Sequence, residues 1–323
     1  MQYPIPIATD LIDELFPFWS AIFGEAAWDV DRAVFLGTEA ATSHSTLYLQ
    51  RVGTQLAGTC FMMQSKTVPA LAGMGEVATD PQFRGQGIAG DLCRQALADF
   101  RAAGGEAFFL GTVNPAAARI YHRLGWRKLA GANLMVNLTA GGSPEEFLVD
   151  YFRQPGEVTV GLAGPDVRIP MIPLILSPHD SHVLDANVGL YSCRYQTQNS
   201  CMGLYPRYTR ALANGLGAFF AARTIDGRVV GLATARRIDP DHSEQIYQID
   251  GFVHHRFAPA WPDLIKVACD WARTQGAATL RAQIGAEDVA KQAVFQKLGF
   301  AYVGVGEGFH ENRLAIWRTV VTR

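Results

Sequence analysis

The chain has 323 residues, is 49% hydrophobic and 18% charged, and carries a formal net charge of -2. That length exceeds what one hydrophobic core usually supports, so two domains are expected, of ordinary globular composition. Near-neutral charge without a basic run argues against a nucleic-acid partner, and the lack of an apolar run of ~18 residues argues against a membrane span.

Thr9 to Phe23 has the periodicity of a helix, with Leu11, Leu15, Phe16, Trp19, Ile22 and Phe23 at helical spacing. Thr46 to Val52 and Gln55 to Met63 alternate as strands around Gly53-Thr54, and Gly75 to Thr79 is a further strand. A turn marked by Pro81 leads into Arg84-Gly85-Gln86-Gly87-Ile88-Ala89, which opens a helix with Ile88, Leu92, Ala96 and Phe100 on one face. Phe108 to Val113 is the next strand. Pro115 then starts a helix that ends at Gly125, where a left-handed residue suits glycine. Ser143 as N-cap, Pro144 and two glutamates start a short connecting helix that stops near Pro155-Gly156.

The glycine turn carries the strongest functional signal. Glycines 85 and 87 have no Cβ, so the backbone can bend sharply toward an anion while amides and the helix N-terminus supply positive partial charge. The expected ligand is rich in phosphate. Gly85, Gly87 and Gly90 also spell a dinucleotide-binding G-x-G-x-x-G, but that motif starts at a strand end and has an acid ~20 residues further on. Here Asp80 to Arg84 intervene, and Glu106 precedes Phe108-Phe109-Leu110 instead of following it. A glycine-rich turn with no ligand is the bland alternative.

Arg84-x-x-Gly87-x-Ala89 resembles the acyl-CoA-binding motif of the GNAT superfamily of N-acetyltransferases, Gln/Arg-x-x-Gly-x-Gly/Ala. Further on, Asn114 to Trp126 is similar to the second family motif, Asn-x-x-Ala-x-x-x-Tyr-x-x-x-Gly-Phe, with Trp126 in place of phenylalanine. The resemblance covers residues 1 to 140 and, more weakly, the remainder. It implies a mixed sheet splayed open between its fourth and fifth strands, with acetyl-CoA as cosubstrate in the split and no metal.

A repeat with a period of about 173 residues, far longer than a solenoid unit, supports a duplicated domain. Tyr121 to Trp126 aligns with Phe295 to Phe300, the helix starting near Asp91-Leu92 with the one at Asp263-Leu264, and Gln55 to Thr59 with Arg228 to Leu232. The expected fold class is α/β (α+β): two tandem GNAT-like domains, each a splayed, mixed, mostly antiparallel sheet flanked by helices. The expected domains are 1–140, a linker at 141–160, and a degenerate copy at 161–323.

By resemblance, the amides of Gln86, Gly87, Ile88 and Ala89 hold the pyrophosphate beside Gly85, and Arg84 adds charge there. Val77, Ala78 and Thr79 pair with the pantetheine arm, which Asn114 and Ala117 meet from the opposite side. Acyl transfer also needs a base for the amine and an acid for the departing thiolate. Tyr121 is the candidate acid and Glu76 the candidate base, with Asp80, His44 and His122 as weaker bases. The second copy has Phe252 to Pro262, rich in prolines and rings, in the glycine slot and Phe295 for Tyr121, so it is expected not to catalyse. Tyr205, Tyr208, Trp261, His254 and His255 are candidates to face the substrate pocket. His254 and His255, as strand neighbours, are expected to point to opposite faces and so not to share a metal.

Five scattered cysteines suggest neither disulfides nor a metal clip, and no secretory leader is evident, so a cytoplasmic enzyme is expected, monomer or homodimer. The expected substrate is a small-molecule amine. A peptide or protein amine, a longer acyl group and a non-catalytic CoA-binding sensor remain alternatives.

Overall fold

A computed structural model describes residues 1–24, 30–238, 245–309 and 312–320. Trp28, a further candidate for acceptor specificity, lies outside the described residues.

In chain order the first half comprises β1 (Gln2–Pro4), α1 (Thr9–Phe23), α2 (Arg32–Phe35), β2 (Ser43–Val52), β3 (Gln55–Ser65), β4 (Leu71–Thr79), α3 (Ile88–Ala102), β5 (Ala107–Gly111), α4 (Pro115–Arg123), β6 (Arg127–Lys128) and β7 (Leu134–Leu138). The second comprises α5 (Pro144–Tyr151), β8 (Val158–Leu162), α6 (Met171–Leu176), β9 (Val183–Asp185), β10 (Leu190–Tyr191), α7 (Leu204–Ala211), β11 (Gly217–Thr224), β12 (Val229–Arg237), β13 (Ile246–Val253), α8 (Trp261–Thr274), β14 (Thr279–Gly285), α9 (Val289–Lys297), β15 (Ala301–Phe309) and β16 (Asn312–Val320).

The first sheet runs β1-β2-β3-β4-β5-β7-β6, antiparallel except for the parallel β4–β5 pair. A parallel pair needs a crossover, and α3 supplies it. Leu92, Ala96 and Phe100 bury the apolar stripe of α3, and the Phe100 ring lies 4.8 Å from that of Phe108 on β5. Burying each large side chain of that stripe contributes about 1.5–3 kcal/mol. On the other face α1 buries Ile12, Leu15 and Trp19, with Trp19 packed on Phe35 and Phe35 on Phe61.

The β4–β5 ladder stops early. Pairs run from Leu71↔Ala107 to Met74↔Leu110, after which β4 continues to Thr79 without its neighbour. The sheet is therefore split between its fourth and fifth strands. The second sheet repeats this plan in the order β8-β11-β12-β13-β14-β16-β15, again with one parallel pair, β13–β14. Both sheets have the mixed, mostly antiparallel, helix-flanked architecture expected from the sequence.

Two compact units result. The first holds Met1–Leu148 with Arg168–Ile172 and Gln198–Pro206, and the second holds Val149–Val167, Pro173–Thr197 and Arg207–Arg323. This differs from a cut at 141–160, because two later stretches belong to the first unit. One is fastened by the Arg168 guanidinium, which makes two 2.7 Å bonds to the buried Glu39 carboxylate and lies 4.6 Å from the Tyr205 ring centre.

Candidate functional site

The split in the first sheet opens into a cleft of about 940 Å³. Its floor is the freed end of β4, its sides are α3 and α4, and Tyr121, Glu76 and every cofactor-binding residue expected from the family resemblance line it except Gln86.

The glycine turn forms one end. Gly85 and Gly87 have φ of +78° and +84°, the left-handed region that favours glycine. A methyl at Gly85 would meet nothing within 4 Å, and one at Gly87 only an Asp91 oxygen at 4.0 Å. Conformation, not crowding, therefore requires glycine here, and the space above stays open. Gly87 is the N-cap of α3 and offers no side chain, so the first-turn amides are left without a side-chain cap. Arg84 folds back over the strand, its Nε donating to the Thr79 carbonyl at 3.3 Å. These features fit a diphosphate: uncapped amides, open space and a neighbouring guanidinium.

Glu76 lies on the floor in a β-bulge. Thr59 pairs with Ala78 and Phe61 with Gly75, so Cys60 alone faces Glu76 and Val77. Glu76 has φ of +51°, uncommon for a residue with a side chain, and is buried. A relay supports it: the Trp19 indole donates to Thr59 Oγ1 at 2.9 Å, and that hydroxyl donates to the Glu76 carbonyl at 2.7 Å. The bulge turns the backbone at the point where β4 leaves β5. The second sheet has no register shift at the matching place, where Thr234 pairs with Asp250 and Ala233 with Gly251.

Tyr121 is buried on α4, its ring 6.3 Å from that of Trp126. Burial, reinforced by Cys93 and Cys60, pushes its phenol well above the ordinary tyrosine range, so it holds its proton at neutral pH. Trp126 replaces the motif's phenylalanine without loss, since its indole donates to the Phe108 carbonyl at 2.9 Å. Asn114 has a structural task besides facing the cleft: its Oδ1 accepts from the Ala116 N–H at 2.9 Å, capping α4. Such a cap is worth about 1 kcal/mol. Of the weaker bases, Asp80 caps the turn through the Gln82 N–H, and neither His44 nor His122 lines the cleft.

Sequence reasoning missed Asn199 and Ser200, which line the cleft from the stretch Gln198–Pro206. Their signal was glycine within strands, which marks close backbone approach. A methyl at Gly111 would stand 2.7 Å from the Asn199 carbonyl oxygen, and one at Gly73 would stand 2.3 Å from Met202 Sδ.

The aromatic and histidine candidates of the second half are corrected: none of the five lines the cleft. Tyr205 lies against Arg168, Tyr208 packs on Phe219, and the Trp261 indole donates to the Gly251 carbonyl. His254 stacks on Phe152 at 4.1 Å. Nor do His254 and His255 point apart. β13 ends at Val253, so both belong to the following 3-10 turn and their rings come within 4.3 Å.

Residues 9–129 match the family model described as an acetyltransferase (GNAT) domain. The chain thus carries a GNAT acetyltransferase domain in its first unit, and the transferase class follows from that domain. Several solved structures are similar to part of the chain. A GNAT-family acetyltransferase from Streptococcus pneumoniae is 15% identical, with a TM-score of 0.40 over 51% of this chain and 100% of its own. A GCN5-related N-acetyltransferase from Kribbella flavida is 17% identical, with a TM-score of 0.39 over 51% and 98%. An acetyltransferase from Salmonella typhimurium, solved with its cofactor acetyl-CoA, is 16% identical, with a TM-score of 0.39 over 50% and 93%. No curated protein matches the chain. No helix among the described residues is long and apolar enough to cross a membrane.

Proposed function

We propose that the first unit transfers an acetyl group from acetyl-CoA to the primary amine of a small molecule by direct attack, and that the second unit is a degenerate copy that does not catalyse. One observation carries the reading: two left-handed glycines under open space and an uncapped helix start share a single cleft with Glu76 and Tyr121.

Acetyl-CoA supplies a thioester, whose carbonyl carbon accepts the amine nitrogen as the carbon–sulfur bond breaks. Amides of the glycine turn and the Arg84 guanidinium hold the diphosphate, and the free edge of β4 from Val77 to Thr79 receives the pantetheine arm. Glu76 takes a proton from the arriving ammonium, directly or through a water, so that the neutral amine attacks; the Tyr121 phenol donates its proton to the departing thiolate and regains one as the new amide nitrogen sheds its second. A small acceptor is favoured over an extended peptide because Met202 and Ile169 already lie against β4 at Gly73 and Met202 at Gly75.

Calorimetry with acetyl-CoA, followed by thiol release with a broad amine panel, tests this. Wild type should bind and turn over. Gly87→Val should lose binding while keeping its far-ultraviolet spectrum, since φ and not space forbids valine there. Undiminished affinity in that folded variant, or binding without thiol release on any amine, counts against the proposal.

A further inference from the structure

The split in the first sheet has an inner end, and chain from far downstream closes it. Met74↔Leu110 is the last pair between β4 and β5, so Gly75 and Gly111 are the first residues on either side of the gap. Both line the cleft. Alternation along the strands puts Gly73 and Gly75 of β4 on the same face as Gly111 of β5. On that face lies the stretch 199–202. A methyl at Gly111 would stand 2.7 Å from the Asn199 carbonyl oxygen and 2.8 Å from the Ser200 Cα, and one at Gly75 would stand 3.4 Å from Met202 Cγ. One at Gly73 would run into Met202 Sδ. The stretch therefore crosses from one lip of the split to the other, with its backbone on β5 and the Met202 side chain on β4.

Hydrogen bonds hold the stretch in place. The Asn133 N–H donates to the Gln198 carbonyl at 2.7 Å and the Asn133 side-chain amide to Asn199 Oδ1 at 2.8 Å, while the Gly203 N–H donates to Ser200 Oγ at 2.9 Å. Met202 itself is buried. On the opposite face Met74 and Leu110 belong to the apolar core that includes Leu92 of α3 and Tyr121. The inner end of the split is thus shut by Met202 on one face and by packed core on the other. A thioester cosubstrate would approach that end with its acyl group leading. The glycine turn follows the C-terminal end of β4, so a diphosphate held there sends its arm back along the strand from Thr79 toward Gly75, a run of about 13 Å.

We infer that Met202 sets the acyl length: the acyl tail of the CoA thioester abuts its side chain, which restricts the cosubstrate to acetyl-CoA. Each further methylene has to displace Met202 or the packed core, and close-packed interiors resist that. The inference rests on the acyl-transfer reading of this cleft and narrows its cosubstrate.

Calorimetry with coenzyme A, acetyl-CoA and butyryl-CoA needs no acceptor amine and tests it in wild type, M202A, I169A and G75A. Wild type should bind butyryl-CoA about tenfold or more weakly than acetyl-CoA, the discrimination that a methylene can give in an apolar pocket. M202A should remove most of that gap. I169A trims a side chain on the same face that reaches Gly73 but not Gly75, and should keep the gap. G75A adds a methyl beside Met202 Cγ at a residue without positive φ, and should widen it. Wild-type affinity for coenzyme A certifies that each variant is folded; should M202A fail that check, the presence or absence of widening in G75A decides. Equal affinity of wild type for the two thioesters, a gap indifferent to residue 202, or an equal loss of it in I169A overturns this inference and leaves acyl transfer standing. Failure of wild type to bind either coenzyme A or acetyl-CoA overturns both.

Discussion

In the second unit the Lys291 ammonium meets the Asp250 carboxylate, both fully buried, at positions that match Ala117 and Gly75 of the first. Lys291 comes from α9, the counterpart of α4, and also donates to the Val183 and Leu184 carbonyls at 3.3 and 3.0 Å. The Ala186 N–H reaches the same Asp250 side chain at 2.6 Å. The split between β13 and β14 is thus filled by the chain's own groups.

Acetyl-CoA should therefore bind once per chain, and calorimetric stoichiometry checks this: a second site surviving in Gly87→Val would contradict it. Lys291→Met, which strands a buried carboxylate, should cost about 3–5 kcal/mol in the stability of the second unit. Urea unfolding of that variant beside K291M/D250L, which removes both charges, should show the double variant recovering much of the loss.

The Thr59 hydroxyl joins Trp19 to the Glu76 carbonyl, and only this oxygen fits both partners. Thr59→Val keeps the shape and removes the relay, leaving a buried N–H and a buried carbonyl short of a partner at about 1–3 kcal/mol. With Glu76 then free to shift, kcat should fall roughly 10- to 100-fold while acetyl-CoA affinity is retained. Equal losses in kcat and affinity would indicate damage to the whole cleft.

Tyr121→Phe removes one oxygen from a well-packed ring. Its kcat should fall about 10²–10⁴-fold, as expected when a general acid is lost, with acetyl-CoA binding preserved. Because burial raises the phenol above its usual range, the alkaline limb of the wild-type kcat profile should lie well above neutral pH and vanish in the variant.

The second unit should weaken in mild acid. Burial lowers His179 to about 4 and His254 to about 3, so both stay neutral in the folded state while the unfolded chain takes up protons below an ordinary ~6.5. Stability is lost as pH falls from that value toward 4. Asp185, held up to about 7 by burial and then by Asp250, acts in the opposite sense over the same range, because its folded form keeps a proton that the unfolded form releases. Asp185→Asn should therefore steepen the acid loss in urea midpoints taken between pH 7 and 4. An unchanged slope would refute this assignment.

The glycine turn was legible because left-handed glycine and a proline-marked entry are local chemistry, as were the cap at Pro115 and the stop at Gly125. The first half of β4 was not. Leu71 to Met74 includes Ala72 and Gly73, which look like loop residues, yet Gly73 is small because Met202 and Ile169 press on it from far along the chain. Asn199 and Ser200 escaped for the same reason, since nothing near position 199 announces that it will lie on Gly111. The bulge at Glu76 depends on a two-against-one count across two strands, which spacing along one strand does not reveal.

The stretch that rests on Gly73 and Gly111 sets an order of events during synthesis. Residues 1–148 can gather around their own sheet soon after leaving the ribosome. Those two glycines then face water until residues 198–206 follow them out of the tunnel. A nascent chain stopped short of that point has a cradle with one side missing.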